Sequence, residues 1–170
     1  MKKIFAVLMA AVLALGCFMT LCACDVSTTP PAAGNDSADI VVPEGTKNAI
    51  VINYTKNGNG TVTARISIDG DVAFAGVSGV LNYDSAVLTY ASSTASLNGL
   101  VLNTDETGKV SFSYANTADI TQKTDLFTVT FNYTAPVNTN LSISIDAGNF
   151  SNAALEDVQY SVLGGNIKID

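Results

Sequence analysis

Apolar and polar residues alternate with a period of two in one segment after another of this chain, a pattern that admits little besides half-buried β-strands. Within residues 60–70, Val62, Ala64, Ile66 and Ile68 share one side, and Thr61, Thr63, Arg65, Ser67 and Asp69 the other. Residues 109–116 set Val110, Phe112 and Tyr114 against Ser111 and Ser113. Residues 125–134 set Phe127, Val129, Phe131 and Tyr133 against Thr128, Thr130 and Asn132, and Leu141, Ile143 and Ile145 repeat the theme. In residues 76–83 the same phase turns Val77, Leu81 and Tyr83 inward and Ser78, Val80 and Asn82 outward. Turn-forming clusters separate the runs: residues 56–60, Asp69-Gly70-Asp71, residues 104–108 and Gly164-Gly165. About nine short strands over residues 48–170, without an amphipathic helix, predict an all-β domain, a two-sheet antiparallel β-sandwich of jelly-roll type.

Composition narrows the chemistry available to such a sandwich. The 170 residues include no His, which removes His general bases, Ser-His-Asp and Cys-His nucleophiles and His-containing zinc sites. The three cysteines, Cys17, Cys22 and Cys24, all fall near the N-terminus, so the sandwich has no disulfide frame, Cys-ligated zinc or catalytic thiol. The carboxylate pairs Asp105/Glu106 and Glu156/Asp157 are neighbours in turns, where adjacent side chains point apart, so we expect no catalysis. Asp69-Gly70-Asp71 and residues 103–106 carry oxygen ligands of the kind Ca²⁺ takes, but these residues belong in turns on conformational grounds. No metal or cofactor is expected. The formal charge is −7, and beyond Lys2 and Lys3 six bases face fifteen acids, which disfavours nucleic acid as a partner.

The N-terminus reads as an export signal. Met1-Lys2-Lys3 is followed by an uncharged stretch from Ile4 to Ala23, closing in Leu21-Cys22-Ala23-Cys24. This resembles a bacterial lipobox, with Leu three residues before a Cys and a small residue just before it. The resemblance implies a signal peptide over residues 1–23 and a diacylglyceryl-modified Cys24 as the new N-terminus. At Cys17 the residue three positions earlier is Ala14 rather than Leu. An uncleaved membrane helix or a plain secretory signal are the competing readings. Residues 24–47, with Thr29-Pro30-Pro31 and many small polar residues, have the composition of a flexible tether, in which Ile40-Val41-Val42 adds a short edge strand. The expected location is extracytoplasmic, lipid-anchored to the cell membrane.

Within residues 48–170, the run Gly76-Val77-Ser78-Gly79-Val80-Leu81-Asn82-Tyr83-Asp84-Ser85-Ala86-Val87-Leu88, the segment 110–115 (VSFSYA), the segment 120–131 (ITQKTDLFTVTF) and a Gly just before the last strand together resemble the cohesin family. The resemblance implies a nine-stranded jelly roll that binds a dockerin domain through one flat sheet face, in assemblies that degrade plant polysaccharides. At contact positions where the best-known subclass carries Asn and Asp, this chain has Gly76 and Ser78; where that subclass has Leu and Glu, it has Ser113 and Asn116. The expected partner face is therefore Gly76, Ser78, Asn82, Ser111, Ser113 and Asn116. A carbohydrate-binding module of the same shape, with polysaccharide as ligand, is the alternative. It would stack sugars on exposed aromatic rings, yet the chain lacks Trp, and Tyr54, Tyr90 and Tyr160 read as strand-end core residues. A general extracellular adhesion or interaction domain is a third reading.

Overall fold

The structure, a computed structural model, describes residues 37–169. The strands are β1 (Ser37–Ala38), β2 (Ala49–Asn57), β3 (Thr61–Asp69), β4 (Phe74–Tyr83), β5 (Leu88–Ala95), β6 (Val101–Asn103), β7 (Lys109–Ile120), β8 (Thr124–Tyr133), β9 (Thr139–Ser144), β10 (Phe150–Ser151), β11 (Ser161–Gly164) and β12 (Asn166–Ile167). Nine of the twelve span three residues or more. One sheet runs β1-β2-β3-β8-β5 with β11 also on β2, and the other runs β12-β9-β4-β7-β6 with β10 also on β4. This is the expected all-β sandwich. Its pairs are antiparallel except β11 with β2, which run parallel because the chain reaches β2 from the far end after visiting the other sheet.

The alternation dictates what fills the space between the sheets. Val62, Ala64, Ile66, Ile68, Val77, Leu81, Val110, Phe112, Phe127, Val129, Phe131 and Leu141 are all buried in one apolar cluster. Aromatic rings join the layers: Phe112 of β7 meets Phe127 of β8 at 5.1 Å between centroids, and Tyr83 of β4 meets Phe131 of β8 at 4.8 Å. Burying side chains of this size removes roughly 1.5–3 kcal/mol each from the cost of ordering the chain. Tyr54 is buried, its hydroxyl accepting the Lys168 N–H, and Tyr90 packs against the core. Tyr160 is more open than the alternation implies, 38% exposed and edge-on to Phe150.

Two features lie beyond the alternation. At Gly164-Gly165 the chain leaves one sheet for the other: Gly165 donates its N–H to the Ile52 carbonyl, and its own carbonyl accepts the Leu141 N–H. Both residues have φ near +90°, and a Cβ on either would lie 2.4 Å from the Ile52 oxygen or 2.2 Å from the Leu141 oxygen, so only glycine fits.

The second feature corrects the boundary expected at residue 48. Ser37–Ala38 pair with Thr55 and Tyr54 of β2, and residues 39–47 cross the outer side of the sheet. The Ile40 N–H reaches Asn53 Oδ1, and the Asp71 N–H reaches the Thr46 carbonyl. Consequently β2 is buried on both faces from Ala49 to Tyr54. Composition gives tether here because its residues are small and polar, but Ile40 and the backbone groups of the segment find partners on the sheet. The edge strand falls at residues 37–38, not at Ile40–Val42. Cys24 and the rest of the leader and tether lie outside the described residues.

Candidate partner-binding face

The outer side of the β12-β9-β4-β7-β6 sheet is assembled row by row from registered strands. In one row Ser142, Asn82 and Lys109 stand side by side; in the next Ser144, Val80, Ser111 and Asn103. A third row sets Ser78 opposite Ser113 and Ser113 opposite Val101, and a fourth sets Ser151, Gly76 and Ala115 together. The side chains are short, so the face is nearly flush with its backbone ladder. Their polar atoms satisfy one another: Ser78 Oγ and Ser113 Oγ share a hydrogen bond of 2.6 Å, and Asn82 Nδ2 donates to Ser144 Oγ at 3.1 Å. Desolvating such self-paired groups costs less than desolvating free ones. In these rows the one charge is Lys109, at the margin and paired with Glu106 at 2.6 Å.

Five of the six expected face residues, Gly76, Ser78, Asn82, Ser111 and Ser113, come together in these rows. Asn116 is placed differently. Between Gly76–Ala115 and Phe74–Ile120 the register slips, so that β7 bulges over residues 116–119. Phase alone would aim Asn116 inward with Phe112 and Tyr114; the bulge instead leaves it exposed at the end of the face, its Oδ1 accepting the Thr117 N–H.

That bulge supports a feature the alternation does not show. Asp119 Oδ1 accepts the Ala153 N–H at 2.7 Å, tying the bulge to the loop after β10. Asn152 organises the loop: its Oδ1 accepts the N–H groups of Ala154 and Glu156, and its Nδ2 donates to Glu156 Oε2. The loop holds Leu155 at φ 64°, 87% exposed. A leucine in the left-handed region costs about 1 kcal/mol or more and persists where its surroundings impose it. The cost here sustains an apolar side chain presented to solvent. Sequence reasoning missed Leu155, since a left-handed φ leaves no trace in hydrophobic periodicity; the Asn at 152, apt for such turns, was the available signal.

The other sequence candidates are absorbed locally. Asp105 caps its own turn with Asn103, Glu106 pairs with Lys109, and Glu156 binds Asn152. Asp69 accepts from Lys123 at 2.6 Å and from the Gly70 N–H, and these two contacts hold its carboxyl below the usual carboxylate range. Among the described residues no group of three or more His, Cys, Asp or Glu is arranged to hold a metal ion.

No family model matches the sequence, and no curated protein matches it. Solved structures do match in fold. The seventh ScaB type I cohesin of Pseudobacteroides cellulosolvens superposes with a TM-score of 0.58 at 19% identity, over 71% of this chain and 90% of that one. The sixth cohesin of Acetivibrio cellulolyticus scaffoldin B, solved in complex with a dockerin, gives 0.56 at 16% identity, over 75% and 95%. A non-cellulosomal cohesin of the archaeon Archaeoglobus fulgidus gives 0.54 at 16%, over 73% and 86%. The described domain has the cohesin fold.

Proposed function

We propose that this domain, a cohesin by fold, is the non-catalytic receptor of a surface lipoprotein and captures a dockerin-type protein domain on its β9-β4-β7-β6 face. The observation that carries the reading is the pairing of a flush, neutral, self-satisfied face with Leu155 presented beside it. Binding energy concentrates in a few large anchors ringed by small contacts that exclude water. Here Leu155 and the 66% exposed Val101 supply apolar area, and the serine rows supply the ring. The solved complex of a cohesin with a dockerin supports the class of partner. The archaeal non-cellulosomal example allows that the captured protein need not be a cellulose-degrading enzyme. The face has no aromatic platform in its rows, which weighs against stacking of neutral sugars there.

The remainder of the proposal rests on the leader: Cys24 acylated, residues 25–36 as spacer, and the domain held outside the cell membrane. Mass spectrometry of the membrane-extracted protein should find diacylglyceryl-cysteine at position 24, and Cys24→Ala should abolish it; a mature chain beginning at Met1 would overturn the anchor. For the partner, calorimetric titration of dockerin domains from the same genome should give binding to the wild type that Ser78→Arg and Ser113→Arg both abolish. Binding that survives both substitutions would reject the face, and binding to xylan or cellulose oligosaccharides without any dockerin binding would favour a carbohydrate module.

A further inference from the structure

The opposite sheet carries a second, chemically different feature. Arg65 is the sole arginine of the chain. It stands on the outer side of β3, directly between Asn53 of β2 and Thr128 of β8, with Thr55 and Thr63 in the adjoining row. These residues and Asp39, from the segment that crosses the sheet, line a groove of about 430 Å³, within the range of roughly 300–1,000 Å³ typical of small-ligand sites. Although acids outnumber bases almost two to one, no described carboxylate lies within ion-pair distance of Arg65; the ion pairs among the described residues are Lys109–Glu106 and Lys123–Asp69.

Asn53 is oriented to assist. It is 8% exposed, and its Oδ1 is fixed by the Ile40 N–H at 2.9 Å. Its Nδ2 has no acceptor among the described residues and belongs to the groove lining. A guanidinium fork, an amide donor and a threonine hydroxyl thus stand in one row, the donor set that takes a planar carboxylate in two-point contact. The hydroxyls of Thr55 and Thr63 extend the polar surface, Asp39 adds an acceptor at the rim, and the one large apolar residue of the lining is Tyr54, which is buried in the core cluster. A protein partner would need apolar anchors that this groove does not offer.

We propose that the groove binds a uronic acid residue of a polysaccharide, its carboxylate on Arg65 and Asn53 Nδ2 and its ring hydroxyls on Thr55, Thr63, Thr128 and Asp39. Recognition is by charge and hydrogen bonds rather than by ring stacking, and the site lies on the sheet opposite the partner face, so both can be occupied together. The proposal stands independently of dockerin capture.

The test is calorimetric titration of the full chain with oligogalacturonate, its methyl-esterified counterpart and poly-L-glutamate. Oligogalacturonate should bind and the esterified form should not. Arg65→Gln should weaken binding about tenfold or more, the loss expected of a charge-assisted contact, with Arg65→Lys intermediate because an ammonium cannot make the two-point contact. Thr128→Val, which keeps the shape and removes the hydroxyl, should weaken it several-fold. Thermal melting of each variant should match the wild type, since Arg65 is exposed and Thr128 half-buried. No binding of oligogalacturonate, equal binding of the esterified form, or unchanged affinity in a folded Arg65→Gln would overturn the proposal. Equal binding of poly-L-glutamate would also overturn it, in favour of an acidic peptide.

Discussion

The two sheets present outer faces made by the same alternation, yet one is a floor of Gly, Ala and Ser and the other a ladder of Thr and Asn around a single Arg. Both faces are nearly neutral, because the acids collect in the turns at the ends of the sandwich: Asp69, Asp84, Asp105, Glu106, Asp146, Glu156 and Asp157. Neutrality therefore does not tell the faces apart. Side-chain reach and cover do. The serine face is flush and open, whereas residues 39–47 lie against part of the threonine face, where Asp39 walls a groove. A flush face suits a broad macromolecular partner and a walled groove suits a small polar one.

The two faces share one core. Phe112 lies under Ser111 and Ser113, Phe131 under Thr130 and Asn132, and both are buried. Either Phe→Ala change should cost about 3–5 kcal/mol in denaturant unfolding, and the two losses should be alike if a single core supports both faces. A loss below about 1 kcal/mol at one of them would mean that its sheet is packed independently.

Placing the same charge on each face separates them. Ser78→Arg should cost about 2–5 kcal/mol of partner affinity, the scale for a buried unpaired charge in an interface. Thr130→Arg should leave that affinity unchanged. Equal effects from the two would show that the faces are not functionally distinct.

Two glycines on one strand probe its inner and outer sides. A Cβ on Gly79 would meet the Ser144 carbonyl oxygen at 2.8 Å and Phe112 Cζ at 2.9 Å, so Gly79→Ala should destabilise by about 1–3 kcal/mol. A Cβ on Gly76 would meet first the Ser151 hydroxyl at 3.1 Å, a group able to move, and Gly76→Ala should stay within about 0.5 kcal/mol. Similar melting temperatures for the two variants would contradict this packing.

Leu155→Gly should remove strain at φ 64° and stabilise the fold by up to about 1 kcal/mol, while weakening partner binding. A variant that is both more stable and equally competent to bind would remove Leu155 from the face.

The smallest effect belongs to the charged ends. Lys123, hydrogen-bonded to Asp69, and the Gly70 N–H depress the Asp69 carboxyl. Since the folded value lies below the unfolded one of about 3.9, this stabilisation is present at neutral pH and is lost as pH falls through the folded value. The pair is partly exposed, so Lys123→Ala should cost no more than about 0.5 kcal/mol at pH 7, shrinking toward zero as pH falls below the folded value, with both faces unaffected. A cost that persists at low pH would assign the role of Lys123 to its aliphatic stem.

Much of the fold was legible because a strand's side-chain period of two is a local property, carried by residues such as Val62 through Ile68 whatever lies elsewhere. The inward set, the strand number and the outward placement of Ser78, Asn82, Ser111 and Ser113 all followed from it. What was not legible depends on where distant strands meet. The β7 bulge that turns Asn116 out arises from its register with β4, and the left-handed Leu155 from a loop braced on Asp119, 36 positions away. The attachment of residues 39–47 to the sheet depends on Asn53 and Asp71, and the isolation of Arg65 depends on which acids the fold carries to the sandwich ends. Which side of each strand is apolar is written into the chain residue by residue, because hydrophobicity is a property of single residues. Which outward residues share a face, which segment covers them and which charge stands alone are set by the folded arrangement, because those are distances between residues remote in the chain.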